Sequence, residues 1–233
     1  MYKSKKILGV IPARGHNDEI DHLNIKKLSG KPMIEYTISK ALNSGLIDEV
    51  IVSTEDKKIA KIAKLSGASV PFLRPQKLTR DNVTLFEIAK YVYWKLNKNF
   101  DFVVILLPNS PFRTEDDINN AIWTFTEKQY DYLLSVVKVK DFFWKKNDGS
   151  IIPVTHKGVI NRKNAEVLLR EQGGIYIFNS TLFGKKTFNA KKIGYFELGE
   201  HNSRTINSIY DLFISEKLIR LPITLINELI KAS

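Results

Sequence analysis

Directly after a short apolar run, Ile7 to Ile11, the chain reads Pro12-Ala13-Arg14-Gly15-His16-Asn17-Asp18-Glu19-Ile20-Asp21-His22-Leu23-Asn24. An arginine in such a loop can grip phosphate oxygens with two parallel hydrogen bonds, and a glycine beside it lets a ligand approach the backbone. Taken alone, the same loop reads equally as a solvated turn with an incidental arginine. His16, His22, His156 and His201 lack the helix spacing of a zinc site and read as surface residues. The absence of cysteine excludes a disulfide framework, thiol catalysis and thiolate metal sites.

Elements that could hold such a loop are visible in the apolar pattern. Short β-rich runs recur at Ile7–Ile11, Glu49–Ser53, Asp101–Leu107, Tyr132–Val137 and Gly174–Phe178, each bounded by charged or turn-forming residues. Between the first three lie stretches of helical period: Ile34, Ile38, Ala41 and Leu42 after Gly30-Lys31-Pro32, then Ile59, Ala60, Ile62 and Ala63, then Phe86, Ala89, Val92, Tyr93 and Leu96. Pro32 suits a first helical position. Strands alternating with helices imply right-handed crossovers, hence an α/β fold with a doubly wound, mainly parallel sheet. Ligands of such sheets sit beyond the carboxyl ends of the strands, which directs attention to the loops after Ile11, Ser53 and Leu107.

The 233 residues, 43% hydrophobic and 26% charged, suit one domain spanning 1–233. No run reaches the roughly 18–20 apolar residues of a membrane span, and the basic start leads into a strand rather than a signal peptide. A cytoplasmic location is the expectation. The formal charge of +11 is spread along the chain without a basic block or recognised motif, so nucleic acid is an unlikely partner and phosphorylated ligands a better one. Between 138 and 172 the pattern changes: Phe142-Phe143-Trp144, a hairpin signal at Asn147-Asp148-Gly149, then Ile151-Ile152-Pro153-Val154. This segment reads as an inserted arm that packs against a second subunit, predicting a homodimer. The last helical stretch, 210–221 with 223–230, is expected to close the core.

Four further segments follow the arginine loop in order: Gly30-Lys31-Pro32-Met33-Ile34-Glu35-Tyr36-Thr37-Ile38, Val52-Ser53-Thr54-Glu55-Asp56, Gly67-Ala68-Ser69-Val70-Pro71-Phe72-Leu73-Arg74-Pro75 with Leu78 and Asp81, and Leu106-Leu107-Pro108-Asn109-Ser110-Pro111-Phe112-Arg113-Thr114. Together they resemble the acylneuraminate cytidylyltransferase family, the CMP-sialic acid synthetases and their relatives on other nine-carbon sugar acids. The likeness runs from about Ile7 to Phe125 and resumes at Arg162–Phe178. It implies a Rossmann-like fold of the nucleotide-diphospho-sugar transferase type and the joining of CMP from CTP to a 2-keto sugar acid, with pyrophosphate released and Mg²⁺ as the cofactor. By the same resemblance Arg14 is the catalytic and phosphate-binding arginine, and Asn24, Arg74, Asn109 and Ser110 contact the nucleotide. Arg162, Arg170, Gln172 and Tyr176 would meet the acceptor, although a tyrosine in an apolar strand is more often a core residue.

The departures from the family cluster on the chemistry. Asn17-Asp18 and Leu23 stand where the family carries two lysines, and Leu107 where a glutamine is common. Thr205 and Asn207 stand where it has an aspartate pair, leaving Asp211 as the surviving metal ligand. Two accounts follow. Loop acids such as Asp18, Glu19 and Asp21 replace the lost metal ligands and transfer proceeds, or the chain is an inactive homologue that keeps the fold and acts as a regulatory or assembly partner.

Overall fold

A computed structural model describes residues 4–16, 20–155, 161 and 164–221. Asp18, Glu19, His156, Arg162 and 223–230, each given a role above, lie outside the described residues. In chain order the elements are β1 (Ile7–Pro12), β2 (Lys27–Leu28), β3 (Lys31–Pro32), α1 (Met33–Asn43), β4 (Glu49–Ser53), α2 (Lys57–Leu65), α3 (Leu85–Leu96), β5 (Phe102–Leu106), α4 (Glu115–Lys128), β6 (Tyr132–Val139), β7 (Trp144–Asn147), β8 (Ser150–Pro153), β9 (Leu168–Asn179), β10 (Ile193–Glu197) and α5 (Ile209–Leu218).

Six strands form one sheet in the order β10-β6-β9-β5-β1-β4. β1 runs parallel to β4 and β5, and β10 parallel to β6; β9 alone is antiparallel to its neighbours. All five expected strands are present, and the mainly parallel α/β architecture is as anticipated. The two faces divide by strand alternation. Ile7 and Ile11, Phe102, Val104 and Leu106, and Ile175 and Ile177 enter one core with the apolar stripes of α1, α2 and α4. Leu8 and Val10, Val103 and Ile105, and Tyr176 and Phe178 enter the other, beneath α3. Burial on both faces makes β1 and β5 continuous apolar runs rather than alternating ones.

Helix starts are fixed by side chains. Asp56 accepts from the amides of Lys58 and Ile59 to cap α2, and Thr84/Glu87, Thr114/Asp117 and Ser208/Asp211 form reciprocal capping boxes on α3, α4 and α5. Pro32 occupies the cap of α1, one place before the first helical residue.

Two expectations change in detail. The β6–β9 ladder continues through Lys138–Leu169 and Val139–Leu168, so both ends of the expected segment 138–172 belong to the sheet. The hairpin within it forms as anticipated, β7 and β8 joined through Asp148 and Gly149, both at positive φ. α5, in turn, does not close the sheet core. Ile209, Tyr210 and Phe213 are exposed on it, while Leu212 and Ile219 pack on Ile20, Leu23, Leu28 and Met33 of the segment after β1. Its packed residues serve that loop instead.

Candidate active site

β1 pairs with β4 on one side and β5 on the other, so the chain's direction of winding reverses at β1. A crevice must open beyond the carboxyl ends there. It is a cavity of about 330 Å³ whose wall includes Arg14, Asn24, Arg74 and Asn109. Ser110 is not on that wall; it is buried, and its hydroxyl has no hydrogen-bond partner among the described residues. A broader basin of about 630 Å³ adjoins, sharing Arg14, Thr79, Arg80 and Asp81 with the first.

The loop carrying Arg14 is held by buried bonds. Ala13 N–H donates to Ser53 O at 3.0 Å, prolonging the β1–β4 ladder, and Asn24 Nδ2 donates to Arg14 O at 2.8 Å. Asn24 thus braces the loop from the cavity wall. Glu55 accepts from Gly15 N at 2.7 Å through Oε1 and from Arg74 Nη2 at 3.0 Å through Oε2. A Cβ at Gly15 would stand 2.6 Å from Asp56 Oδ2, so any side chain there forces the carboxylate that caps α2 to shift. The Arg74 side chain is only 2% exposed and Glu55's 11%, so this pair forms a neutralised floor. Burial lowers the Arg74 pKa, and the Glu55 bond opposes that shift.

The Arg14 guanidinium is not free. It is ion-paired with Asp81, whose carboxyl is held below the ordinary range by that hydrogen bond and charge. Arg80, beside it, makes no hydrogen bond or ion pair to a described residue and faces both cavities.

Across the cavity, Asn109 Nδ2 donates to Asn207 Oδ1 at 2.7 Å and Asn109 O accepts from Ile206 N at 2.8 Å. The segment 205–207 is thereby stitched to the loop after β5. Asp211, the expected metal ligand, accepts from the amides of Asn207 at 3.0 Å and Ser208 at 2.9 Å. Partial burial raises its pKa, but these bonds outweigh it and the net shift is downward. Its neighbours Thr205 and Asn207 are neutral, and among the described residues no group of three or more His, Asp or Glu could hold a metal. Mg²⁺ is usually held by one or two carboxylates with substrate phosphates. One carboxylate already spent on a helix cap does not make a resident Mg²⁺ site among the described residues.

On the acceptor side the placement differs from expectation. Gln172 Oε1 accepts from Gly174 N at 2.7 Å, and its amide donates to Ser203 O. Those bonds brace an irregular stretch of β9, where Val136 pairs with Glu171 but Leu134 with Tyr176. Gly173, at φ +84°, supplies the left-handed residue this bulge requires. Tyr176 lies in the core under α3; its hydroxyl donates to Glu171 at 2.6 Å and its ring stacks on Tyr132. Neither side chain lines a cavity described here. Arg170 does, in a separate cavity of about 270 Å³ with Arg204 and Asp211.

Burial, aided by Glu171, pushes the Tyr132 and Tyr176 hydroxyls well above their ordinary value. Unfolded tyrosine ionises near pH 10 while these remain neutral in the fold, so their contribution is complete below that pH and lost above it. Denaturant midpoints measured from pH 8 to 11 should fall steeply at the alkaline end, and less so in Tyr176→Phe.

Glu55, Asp81 and Arg113 stand in the segments that carry the family resemblance, but the sequence assigned them no role. Arg113 is 1% exposed, donates to Gly174 O and, at 3.1 Å, to Thr37 Oγ1, and is lowered to about 10 by burial despite Asp117. It remains charged at neutral pH and ties the β9 bulge to α1. Its position two residues after Pro111 was the available signal; its burial was not.

A crevice at the winding reversal, walled by arginine and asparagine, marks an α/β protein with its ligand site beyond the carboxyl ends of the strands. The chain belongs to the cytidylyltransferase family, whose model matches residues 8–225. It is 39% identical over 120 residues to the CMP-N,N'-diacetyllegionaminic acid synthase of Legionella pneumophila, covering 50% of this chain and 52% of that protein. It is 34% identical over 136 residues to the pseudaminic acid cytidylyltransferase of Campylobacter jejuni, covering 57% and 59%. The matched stretch therefore spans little more than half of those relatives. The post-translational flagellin modification protein B of Campylobacter coli is 29% identical over 230 residues, 92% of this chain and 95% of that one. In fold, the CMP:2-keto-3-deoxy-manno-octonic acid synthetase complexed with CTP superposes with a TM-score of 0.70 at 15% identity, over 92% of this chain and 98% of that one.

Proposed function

We propose that the protein transfers the cytidylyl group of CTP to the anomeric hydroxyl of a nine-carbon 2-keto sugar acid and releases pyrophosphate. The observation that carries this is the convergence of Arg14, Asn24 and Asn109 on one cavity beyond β1 and β5. Membership of the cytidylyltransferase family and the names of its relatives support the nucleotide and the acceptor class. The acceptor hydroxyl oxygen attacks the α-phosphorus in line and gives its proton to solvent, the bond from the α-phosphorus to the bridging oxygen breaks, and charge builds on the departing pyrophosphate. Arg14, released from Asp81, and the unpaired Arg80 are the cations beside that charge. Supply of CTP places the reaction in the cytoplasm. The test is pyrophosphate release from CTP with a panel of nine-carbon keto acids, with Mg²⁺, with Mn²⁺ and with chelator.

A second reading has its own support: Arg14 closed by Asp81 and neutral Thr205 and Asn207 suit a non-catalytic homologue that still binds nucleotide. Calorimetric CTP binding without turnover on any acceptor would select it.

The same proposal includes a homodimer formed through the arm. A two-stranded hairpin is marginal alone, and this one leaves Ile151 62%, Val154 58% and Trp144 47% exposed. Sedimentation should give a dimer for the unaltered chain and a folded monomer for the Ile151→Asp, Val154→Asp double variant. A monomeric unaltered chain removes this part of the proposal.

A further inference from the structure

The crevice takes up the carboxyl ends of β1 and β5. At the opposite end of the sheet, where the parallel strands begin, lysines from three separate segments meet around Asp131, the residue before β6. Its carboxylate accepts from the amides of Lys191 at 2.8 Å and Lys192 at 3.0 Å, just ahead of β10. Those bonds, with the ammoniums of Lys185 and Lys191 nearby, hold its carboxyl below the ordinary range. Lys192 Nζ in turn donates to Lys128 O at the end of α4, and Lys90 Nζ of α3 to Lys185 O. The side chains of Lys186 and Lys191 make no hydrogen bond or ion pair to a described residue.

These six lysines, all but Lys90 exposed, share their segments with two acids close to them, Asp131 and Glu127. Farther along the same end the charges cancel, Lys5 pairing with Asp101 and Lys98 with Glu49. The positive surplus is therefore local to the β6–β10 side. Apolar side chains stand among the lysines. Trp94 is 58% exposed with its indole N–H committed to Phe183 O at 3.3 Å, Ile193 beside Lys192 is 55% exposed, and Phe188, between the two lysine pairs, 40%.

Among the described residues no helix is long and apolar enough to cross a membrane, so contact of this face with a bilayer is contact at its surface. Ammoniums on long alkyl stems, interspersed with an indole and aliphatic groups, suit the headgroup layer, where apolar stems and rings sink while charges stay wet. Each lysine near an anionic leaflet strengthens binding about fivefold. Nucleic acid favours the arginine fork, and no arginine stands in the stretches 85–98, 125–132 and 180–195 that build this face.

We propose that this lysine face is a docking surface for the anionic leaflet of a membrane, holding the protein with its crevice turned away from the bilayer and open to solvent.

Co-sedimentation of the full chain with vesicles tests it, using phosphatidylcholine alone and phosphatidylcholine with phosphatidylserine in equal parts. The unaltered protein should bind only the anionic vesicles at about 0.1 M salt and leave them at about 1 M, where charges are screened within about 3 Å. Lys186→Gln, Lys191→Gln should weaken that binding about 25-fold. Lys26→Gln, Lys27→Gln removes the same charge from the segment after β1, at the crevice end, and should change it by less than about twofold. An unaltered protein that stays in the supernatant, or sediments equally with neutral vesicles, overturns the proposal. Equal losses in the two double variants overturn it too, because net charge rather than this face would then govern binding. A DNA duplex or RNA bound more tightly than the anionic vesicles at the same salt, and lost in Lys186→Gln, Lys191→Gln, would give the face to nucleic acid and overturn it as well.

Discussion

Arg14→Gln should lower kcat/KM for CTP by about 100-fold or more, the cost of removing one preorganised donor from a developing anion. Pyrophosphate-release kinetics measure the effect, and calorimetry separates its binding part. Because Arg14 is already paired with Asp81 in the ligand-free protein, arriving phosphate must displace that carboxylate. Asp81 is largely exposed, and exposed pairs are weak. Asp81→Asn should therefore raise CTP affinity only modestly, up to about fivefold. The opposite signs at two touching residues distinguish phosphate binding from a structural role: if the pair served only to hold the loop, both substitutions would weaken CTP binding.

The largest effect on stability is expected at Glu55. Its removal strands the Arg74 guanidinium, 2% exposed, and frees the amide of Gly15. Breaking one side of a buried ion pair costs about 3–5 kcal/mol. For a chain of this size that corresponds to a drop in Tm of roughly 6–20 °C. Glu55→Ala should show it by thermal denaturation, and the double variant Glu55→Ala, Arg74→Met should recover part of the loss because no buried charge is left unpaired. A double variant no more stable than Glu55→Ala would show that the Gly15 contact, rather than the ion pair, sets the cost.

The sheet was legible in the sequence because strands buried on both faces leave uninterrupted apolar runs, as β1 and β5 do. The loop after β1 was legible too, since Arg14, Asn24, Arg74 and Asn109 reach one cavity. Their partners were not. Arg14 and Asp81 lie 67 residues apart, and Arg74 and Glu55 19, separations at which no local pattern announces a contact. Gln172 was assigned to the acceptor by its place in a segment that resembles the family's; the bulge at Gly173, which spends both ends of that amide, is a tertiary event. The apolar residues of α5 signalled a helix against the core, yet periodicity does not say which surface receives it, and Leu212 and Ile219 went to the loop.

That destination has a consequence for biosynthesis. Ile20, Leu23, Leu28 and Met33 emerge from the ribosome early, whereas their cover, Ile206, Leu212 and Ile219, comes almost two hundred residues later. Glu216, which accepts from Ser29 N at 2.6 Å, arrives with that cover. The nascent chain can assemble β1, β4 and β5 well before this, with the loop after β1 still lacking its cover of side chains. The loop after β1 therefore gains this cover only once α5 has emerged, and a ribosome stalled before α5 would display a folded sheet with an unfinished mouth.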